Sequence, residues 1–318
     1  MHYDVFNGDA DGIIALIQLR LAEPKESILI TGVKRDIGLL ANVDSEKATS
    51  VSVLDISMEK NIVALQALLA KQISIHYVDH HRPGDIPESD YLKADIDIDA
   101  NTCTSLIIND LLEGKYVNWA IAAAYGDNML RSAEQLADKV NLSSEDREFL
   151  KNLGIYVNYN GYGSDLTDLH FAPEELFNML VKYQDPLELK ESGSVYYTLE
   201  TAYLTDMQKA QSAQILHDSE QLLVLALPDE PWSRRISGVY GNLLANQSPE
   251  KAHAVVTINS NDSYRVSLRA PLSNKQGAGD ICAQFPTGGG RAAAAGINEL
   301  PAQSLALFID TVTKYYHC

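Results

Sequence analysis

Short apolar runs alternate with helix-like stretches along the first half of the chain. Runs of strand length lie at residues 3–6, 28–31, 52–56 and 74–78. Between them, residues 13–21 and 59–70 carry apolar positions at the spacing of an amphipathic helix. This alternation predicts βαβ units and a mostly parallel sheet, whose strands end at one crevice.

The second half of the chain has a different pattern. From residue 101 to about 189 it is largely helical, with a loop rich in Tyr, Asn and Gly predicted at 156–164. A polar helix is predicted at 205–220, and a smaller α/β unit follows it. Its predicted strands lie at 221–227, 252–259 and 263–270, and its helices near 238–246 and at 301–316. We therefore predict an α/β protein with a larger domain at 1–204, a helical linker at 205–220 and a smaller domain at 221–318.

Composition and charge reduce the number of possible binding partners. The 318 residues are 46% hydrophobic and 21% charged, as in globular proteins, but 43 acidic residues face only 25 basic ones. The net charge of −18 disfavours binding to long duplex nucleic acid. Three widely spaced cysteines form no disulfide or zinc pattern, and neither a signal peptide nor a membrane span is evident. We expect a cytoplasmic protein with no membrane partner.

Acidic and imidazole side chains follow predicted strands or end a predicted helix in four segments. Taken singly, each suits a turn, a helix N-cap or a solvated loop. Together at one crevice, these side chains would repel one another strongly without cations. Carboxylate oxygens with an imidazole suit Mn²⁺, as a single ion or as a pair of ions ~3.5–4 Å apart. The residues are Asp9, Asp11, Asp55, Asp79, His80, His81 and Asp127.

Three further groups are candidates for substrate contact. Gly288, Gly289 and Gly290 precede a run of alanines, which predicts either an anion-binding helix start or a flexible loop before a packed helix. Arg291 follows them and can grip a phosphate or a guanine edge bidentately. The tyrosines of the 156–164 segment, at positions 156, 159 and 162, either stack bases or pack locally, and packing is the more common outcome.

Six motifs in order resemble those of the DHH phosphoesterases. Asp9-Ala10-Asp11-Gly12, Val53-Leu54-Asp55, Val78-Asp79-His80-His81 and Gly126-Asp127-Asn128 resemble motifs I to IV of that family. Val266-Ser267-Leu268-Arg269, followed by Gly288-Gly289-Gly290-Arg291 and the small residues to 296, resembles the DHHA1 domain that accompanies it. The resemblance extends from residue 3 to about 298.

This resemblance implies roles for individual residues. Asp9 and Asp55 would hold a first Mn²⁺, and a second would lie on Asp11, Asp55, His80 and Asp127. Asp79 would orient His80, His81 would contact the scissile phosphate, and water held between the two ions would attack phosphorus. Asn7 stands near the place of a family His or Asp, so it is either a weak metal ligand or a turn-forming residue.

The resemblance also implies substrate contacts. Arg269 would bind a phosphate or terminal nucleotide, and Arg265 lies four residues earlier on the same face of the strand, as a second contact or a surface residue. The glycine segment ends in His in the family but in Arg291 here.

The function expected from all this is Mn²⁺-dependent hydrolysis of very short oligonucleotides or linear dinucleotides, such as pGpG, to mononucleotides. The alternatives are a 3′-phosphoadenosine 5′-phosphate phosphatase, a cyclic-dinucleotide phosphodiesterase, or a nucleotide sensor with weakened catalysis. The resemblance leaves room for a homodimer through the first domain, although no residue argues for one.

Overall fold

The computed structural model describes residues 1–259 and 261–317. The chain divides into two compact units, Met1–Thr201 and Ala202–Cys318. Among the described residues, no helix is both long enough and apolar enough to cross a membrane.

The first unit is built on a five-stranded parallel sheet, as the sequence predicts. Its strand order is β2-β1-β3-β4-β5, and the central register aligns Val5 with Val53 and Val53 with Tyr77. These central side chains are fully buried, as expected for a parallel sheet that is covered on both faces. The strands are β1 (His2–Phe6), β2 (Ile28–Ile30), β3 (Ser50–Leu54), β4 (Ser74–Asp79) and β5 (Leu92–Ile96). The edge strand β5 is absent from the sequence prediction, although its Leu-Lys-Ala-Asp-Ile pattern alternates apolar and charged residues with the period of a strand.

Helices fill the rest of the first unit. Both α1 and α4 are buried almost all round, and α4 packs against α1, α3, α5 and α6. The helices are α1 (Ala10–Ala22), α2 (Met58–Ala70), α3 (Thr104–Leu111), α4 (Val117–Gly126), α5 (Leu130–Lys139), α6 (Ser144–Gly161), α7 (Pro173–Leu180) and α8 (Leu189–Ser192); α9 follows at Ser194–Ala210.

The tyrosine-rich segment differs from its prediction. Residues 156–161 are the last turns of α6 rather than a loop, and Tyr156, Tyr159 and Tyr162 are all buried. The Tyr156 ring packs 5.4 Å from that of Tyr196, and the Tyr159 hydroxyl lies 2.9 Å from His170 Nε2. The prediction that these rings stack on bases is therefore wrong, and the prediction that they pack locally is confirmed. The Asn and Gly residues that suggested a loop serve close packing inside the unit.

The second unit contains a mixed sheet. In its described part, six strands lie in the order β10-β11-β9-β8-β7-β6, with β7 and β8 parallel and the other pairs antiparallel. The strands are β6 (Gln214–Asp218), β7 (Leu222–Leu227), β8 (Ala252–Ile258), β9 (Ser263–Arg269), β10 (Gly288–Gly290) and β11 (Ala294–Pro301). The helices are α10 (Pro231–Gln247), α11 (Ala278–Cys282) and α12 (Leu305–Tyr315).

Two sequence predictions for this part of the chain are wrong. The helix predicted at 205–220 ends at Ala210, and residues 214–218 form the edge strand β6, which pairs with β7. The alanines after Gly288–Gly290 begin strand β11 rather than a helix, and the three glycines pair with it as β10. In both cases pairing with a neighbouring strand overrides local propensity, which is a weak constraint. No helix start exists at 288–296 to bind an anion.

Candidate metal centre

The carboxyl ends of three neighbouring strands and the end of one helix bring four acidic segments together. Asp9 follows β1 and caps α1, because its Oδ1 accepts hydrogen bonds from the backbone N–H groups of Asp11 at 3.0 Å and Gly12 at 3.1 Å. Asp55 follows β3 in the left-handed region, at φ 58°, which Asp tolerates better than most residues. Asp79 ends β4, and Asp127 follows α4.

His80 shows which of its atoms faces these carboxylates. Its Nδ1 lies 2.8 Å from the carbonyl oxygen of Thr102 and donates to it, so in the neutral ring the lone pair is on Nε2. Nε2 lies 3.3 Å from Asp55 Oδ1, 3.7 Å from Asp11 Oδ2 and 3.9 Å from Asp127 Oδ2. One imidazole nitrogen and three carboxylates around one point are a donor set that suits Mn²⁺ or a similar divalent ion.

Asp11 is held in place by the start of α3. Its two carboxylate oxygens accept hydrogen bonds from the backbone N–H groups of Thr104, at 2.8 Å, and Ser105, at 2.7 Å. Burial, together with the charges of Asp127 and Asp9, raises the pKa of Asp11 to about 6. Burial and the neighbouring carboxylates, Asp9 first among them, likewise raise the pKa of Asp55. The carboxylates repel one another, and a bound cation would relieve that repulsion.

The structure corrects the role assigned to Asp79. The resemblance implies that Asp79 orients His80, but Asp79 Oδ1 lies 2.7 Å from His81 Nδ1, and the Thr102 carbonyl orients His80. Burial would raise the pKa of Asp79, but His81, and after it His80, outweigh burial and lower that pKa. The second ring nitrogen of His81 has no recorded partner within the described residues, and its side chain is 28% exposed. Asp79 therefore positions His81.

Lys34 is the site residue that sequence reasoning missed. Its ammonium contacts Asp9 Oδ2, lies 3.1 Å from Asn158 Oδ1 and is 3.7 Å from Asp127 Oδ1. Burial would lower the pKa of Lys34, but Asp9, Tyr162 and Asp127 together outweigh it and raise that pKa. Burial would raise the pKa of Asp9, but the charge of Lys34 helps to lower it. The one available signal was its place shortly after β2, at the edge where the other strands also end.

The side-chain amide of Asn7 is hydrogen-bonded on both of its polar atoms. Its Oδ1 accepts from the backbone N–H of Asp9 at 3.2 Å, and its Nδ2 donates to the carbonyl oxygen of Lys34 at 3.2 Å. If the oxygen and nitrogen of the amide were exchanged, the Asn7 NH₂ would face the N–H of Asp9 and the Asn7 oxygen would face the carbonyl oxygen of Lys34. The hydrogen bonds therefore fix the orientation of the amide. These contacts fit the turn-forming interpretation, and they also tie Lys34 to the turn, while metal ligation by Asn7 stays a prediction.

The predicted substrate contacts all lie in the second unit. Arg269 is buried, and its guanidinium donates to Asn242 Oδ1 at 2.5 Å and to the carbonyl oxygen of Gly238 at 3.0 Å. Arg265 is half-buried on the same strand, and Arg291 follows β10, where its N–H donates to the carbonyl oxygen of Ala294 at 2.9 Å. Gly289 and Gly290 are exposed. Their contact with a substrate stays a prediction.

Comparison with solved structures shows which known fold this chain has. The chain is similar over 99% of its length to a DHH-domain protein described as a member of the s1p family of ribosomal proteins, with 13% identity, 86% of that chain covered and a TM-score of 0.62. It is similar over 99% to the manganese-bound exonuclease RecJ, with 15% identity, 89% covered and a TM-score of 0.58. The chain has a DHH-family fold. The structural likeness confirms the fold that the sequence motifs predict. It is the only one of the three comparisons that does so, since comparison with family models and with curated proteins finds no match.

A third solved structure is also similar in fold. The pGpG-specific phosphodiesterase PggH from Vibrio cholerae is similar over 98% of both chains, with 14% identity and a TM-score of 0.53. At such identities the likeness concerns the fold, and the site must be argued from its own residues.

Metal binding to this DHH-family fold is expected to depend on pH. Because the pKa of Asp11 is raised to about 6, a divalent ion must displace a proton there below that pH but not above it. Mn²⁺ at about 100 times its Kd should raise the free energy of unfolding of the protein by about 2.7 kcal/mol, and thus its melting temperature by about 5–10 °C. Thermal melts of chelator-treated protein should show the full rise near pH 7.5 and a much smaller one near pH 5. Equal rises at both pH values would contradict the assignment of Asp11 as a ligand.

Proposed function

We propose that this chain is a metal-dependent phosphodiesterase that hydrolyses very short oligonucleotides or linear dinucleotides, such as pGpG, to mononucleotides. The observation that carries the proposal is the convergence of Asp11, Asp55 and Asp127 on Nε2 of His80 at the strand ends. A divalent ion there, Mn²⁺ first among the candidates, would supply Lewis-acid chemistry to water and phosphate.

The residues around that point have separate tasks. The Thr102 carbonyl and the N–H groups at the start of α3 orient His80 and Asp11, so the ligand atoms are in place before an ion arrives. Asp79 holds His81 by Nδ1 and stabilises the positive charge that His81 carries when its other nitrogen donates to a phosphate oxygen. This is why we assign the phosphate contact to His81 and a positioning role to Asp79.

Charge supports a short substrate. A net charge of −18 repels a long polyanion, whereas a dinucleotide brings only a few phosphates and needs one local cationic centre. Similarity over nearly the full length to a protein named as a pGpG-specific phosphodiesterase supports the same substrate class. We retain Arg269, Arg291 and the glycine segment as proposed substrate contacts, with Arg265 as a weaker one.

The experiment compares phosphoesters in one assay. Purified full-length protein with Mn²⁺ is incubated with pGpG, other 5′-phosphorylated dinucleotides, a 5-mer, a 20-mer, cyclic di-GMP and 3′-phosphoadenosine 5′-phosphate. The proposal expects rapid release of mononucleotides from dinucleotides and slow turnover of the 20-mer. Intact dinucleotides together with turnover of 3′-phosphoadenosine 5′-phosphate or cyclic di-GMP would replace it with that activity. No hydrolysis of any compound, with nucleotide bound, would favour the sensor.

A further inference from the structure

Lys34 lies where the resemblance to two-ion enzymes implies a cation. The first of those two ions would be bound by Asp9 and Asp55, next to residue 7. In this chain the ammonium of Lys34 contacts Asp9 Oδ2 and lies 3.7 Å from Asp127 Oδ1, between two of the site's carboxylates. A positive charge is therefore already present on that side of the centre.

The backbone around Lys34 is built into the unit. Its N–H donates to the carbonyl oxygen of Gly161 at 2.8 Å, and its carbonyl accepts from Asn7. Gly8 and Gly32 meet so closely that a Cβ on Gly8 would lie 1.8 Å from the Gly32 oxygen, so the two turns can approach only because Gly8 lacks a side chain. Only 21% of the Lys34 side chain is exposed. This is a fixed lysine, unlike a surface lysine that swings freely.

The ligand atoms for a first ion are already engaged. Asp9 Oδ1 accepts two backbone hydrogen bonds, which fill both of its lone-pair directions, and Asp9 Oδ2 accepts the Lys34 ammonium. The amide oxygen of Asn7 is engaged by the N–H of Asp9. By contrast, Asp11 accepts hydrogen bonds from the neutral backbone N–H groups of Thr104 and Ser105 and faces the imidazole of His80 rather than an ammonium, so no fixed positive charge competes with a metal there. The donor set therefore fits one ion and does not fit the second.

We infer that this chain holds a single divalent ion, on Asp11, Asp55, His80 and Asp127, and that the ammonium of Lys34 takes the place of the other ion. Lys34 neutralises Asp9, and Asn7 places a neutral, hydrogen-bonded amide where the resemblance implies a His or Asp. A divalent ion bound at Asp9 would lie within a few ångströms of the ammonium, where like charges repel strongly in a buried site. The inference rests on the proposed function only in placing a metal at this centre, and it is independent of the phosphoester that is cleaved.

The test counts ions. Full-length protein is freed of metal with a chelator, equilibrated with Mn²⁺ and desalted, and bound manganese per chain is measured by mass spectrometry. Electron paramagnetic resonance then distinguishes an isolated Mn²⁺, with its six-line spectrum, from an exchange-coupled pair. We expect one isolated ion per chain in the native protein. A coupled pair in the native protein would overturn the inference and leave the proposed function standing, whereas no bound ion would overturn both.

A pair of variants tests the part played by Lys34. The double variant Asn7→Asp, Lys34→Met removes the ammonium and restores a carboxylate, so it should hold two ions with a coupled spectrum. The control is Lys47→Met, which removes an exposed lysine that pairs with Asp44 on the surface, and it should hold one ion. A folded double variant that still holds one ion would contradict the role assigned to Lys34, while the native count remains a test even if that variant does not fold.

Discussion

Replacing Asp55 with Asn should reduce the rate of phosphodiester hydrolysis by about 10³-fold or more, equivalent to about 4 kcal/mol of transition-state stabilisation. Asp55 Oδ1 is the carboxylate atom nearest to His80 Nε2, at 3.3 Å, and it also accepts from the Thr104 hydroxyl at 3.3 Å. An amide there has the same size but no negative charge, so it binds a divalent ion weakly. Bound manganese should fall together with the rate.

The fold should survive this change, which makes the loss interpretable. Asn tolerates the left-handed backbone of residue 55, at φ 58°, as well as Asp does. The matched control is Asp95→Asn, because Asp95 lies on the adjacent part of the same sheet but pairs with His76, at 2.7 Å, outside the centre. The control should keep both its metal and its rate. Unchanged metal content and rate in Asp55→Asn would show that the assigned centre is wrong.

Adding a methyl group at Gly154 should lower the free energy of unfolding by about 3 kcal/mol, and the melting temperature by about 6–12 °C. A Cβ at this position of α6 would lie 1.9 Å from the carbonyl oxygen of Ala122 and 2.8 Å from the backbone nitrogen of Gly126, both on α4. Both contacts are to backbone, so no side chain can rotate away and the helices must separate. Because α4 leads directly to Asp127, that separation should also weaken metal binding.

The comparison is Gly38→Ala. Gly38 has φ −93°, and a Cβ there would meet nothing within 4 Å, so its unfolding free energy should change by no more than about 0.5 kcal/mol. Thermal and urea melts of the two variants beside the native protein provide the measurement. Equal midpoints for the two variants would mean that α4 and α6 do not approach as closely as the structure shows.

The elements of the central sheet and the acidic side chains at its edge were predictable because their signals are local. Strands β1, β3 and β4 are largely buried and each carries a short apolar run near its carboxyl end, and parallel strands end at one edge. Aspartates placed directly after such runs must therefore lie near one another. This is why Asp9, Asp11 and Asp55 were predictable without any knowledge of the packing.

The partners of those side chains were decided by contacts between distant parts of the chain. From the sequence, Asp79 could hydrogen-bond either of two neighbouring histidines. In the structure His80 donates to the Thr102 carbonyl instead, and Asp79 is hydrogen-bonded to His81. Lys34 reaches Asp9 because two glycine turns meet, a contact that no periodicity encodes. Likewise, the glycines before Arg291 became a strand only by pairing with β11.

Residue pattern alone thus establishes which groups lie at the sheet edge, since side-chain period and strand direction follow from local backbone geometry. Tertiary structure decides how many cations that edge can hold. The answer depends on which lone pairs of Asp9 and Asn7 are already occupied, and the groups that occupy them include Lys34, which lies 25 residues beyond Asp9 in the chain.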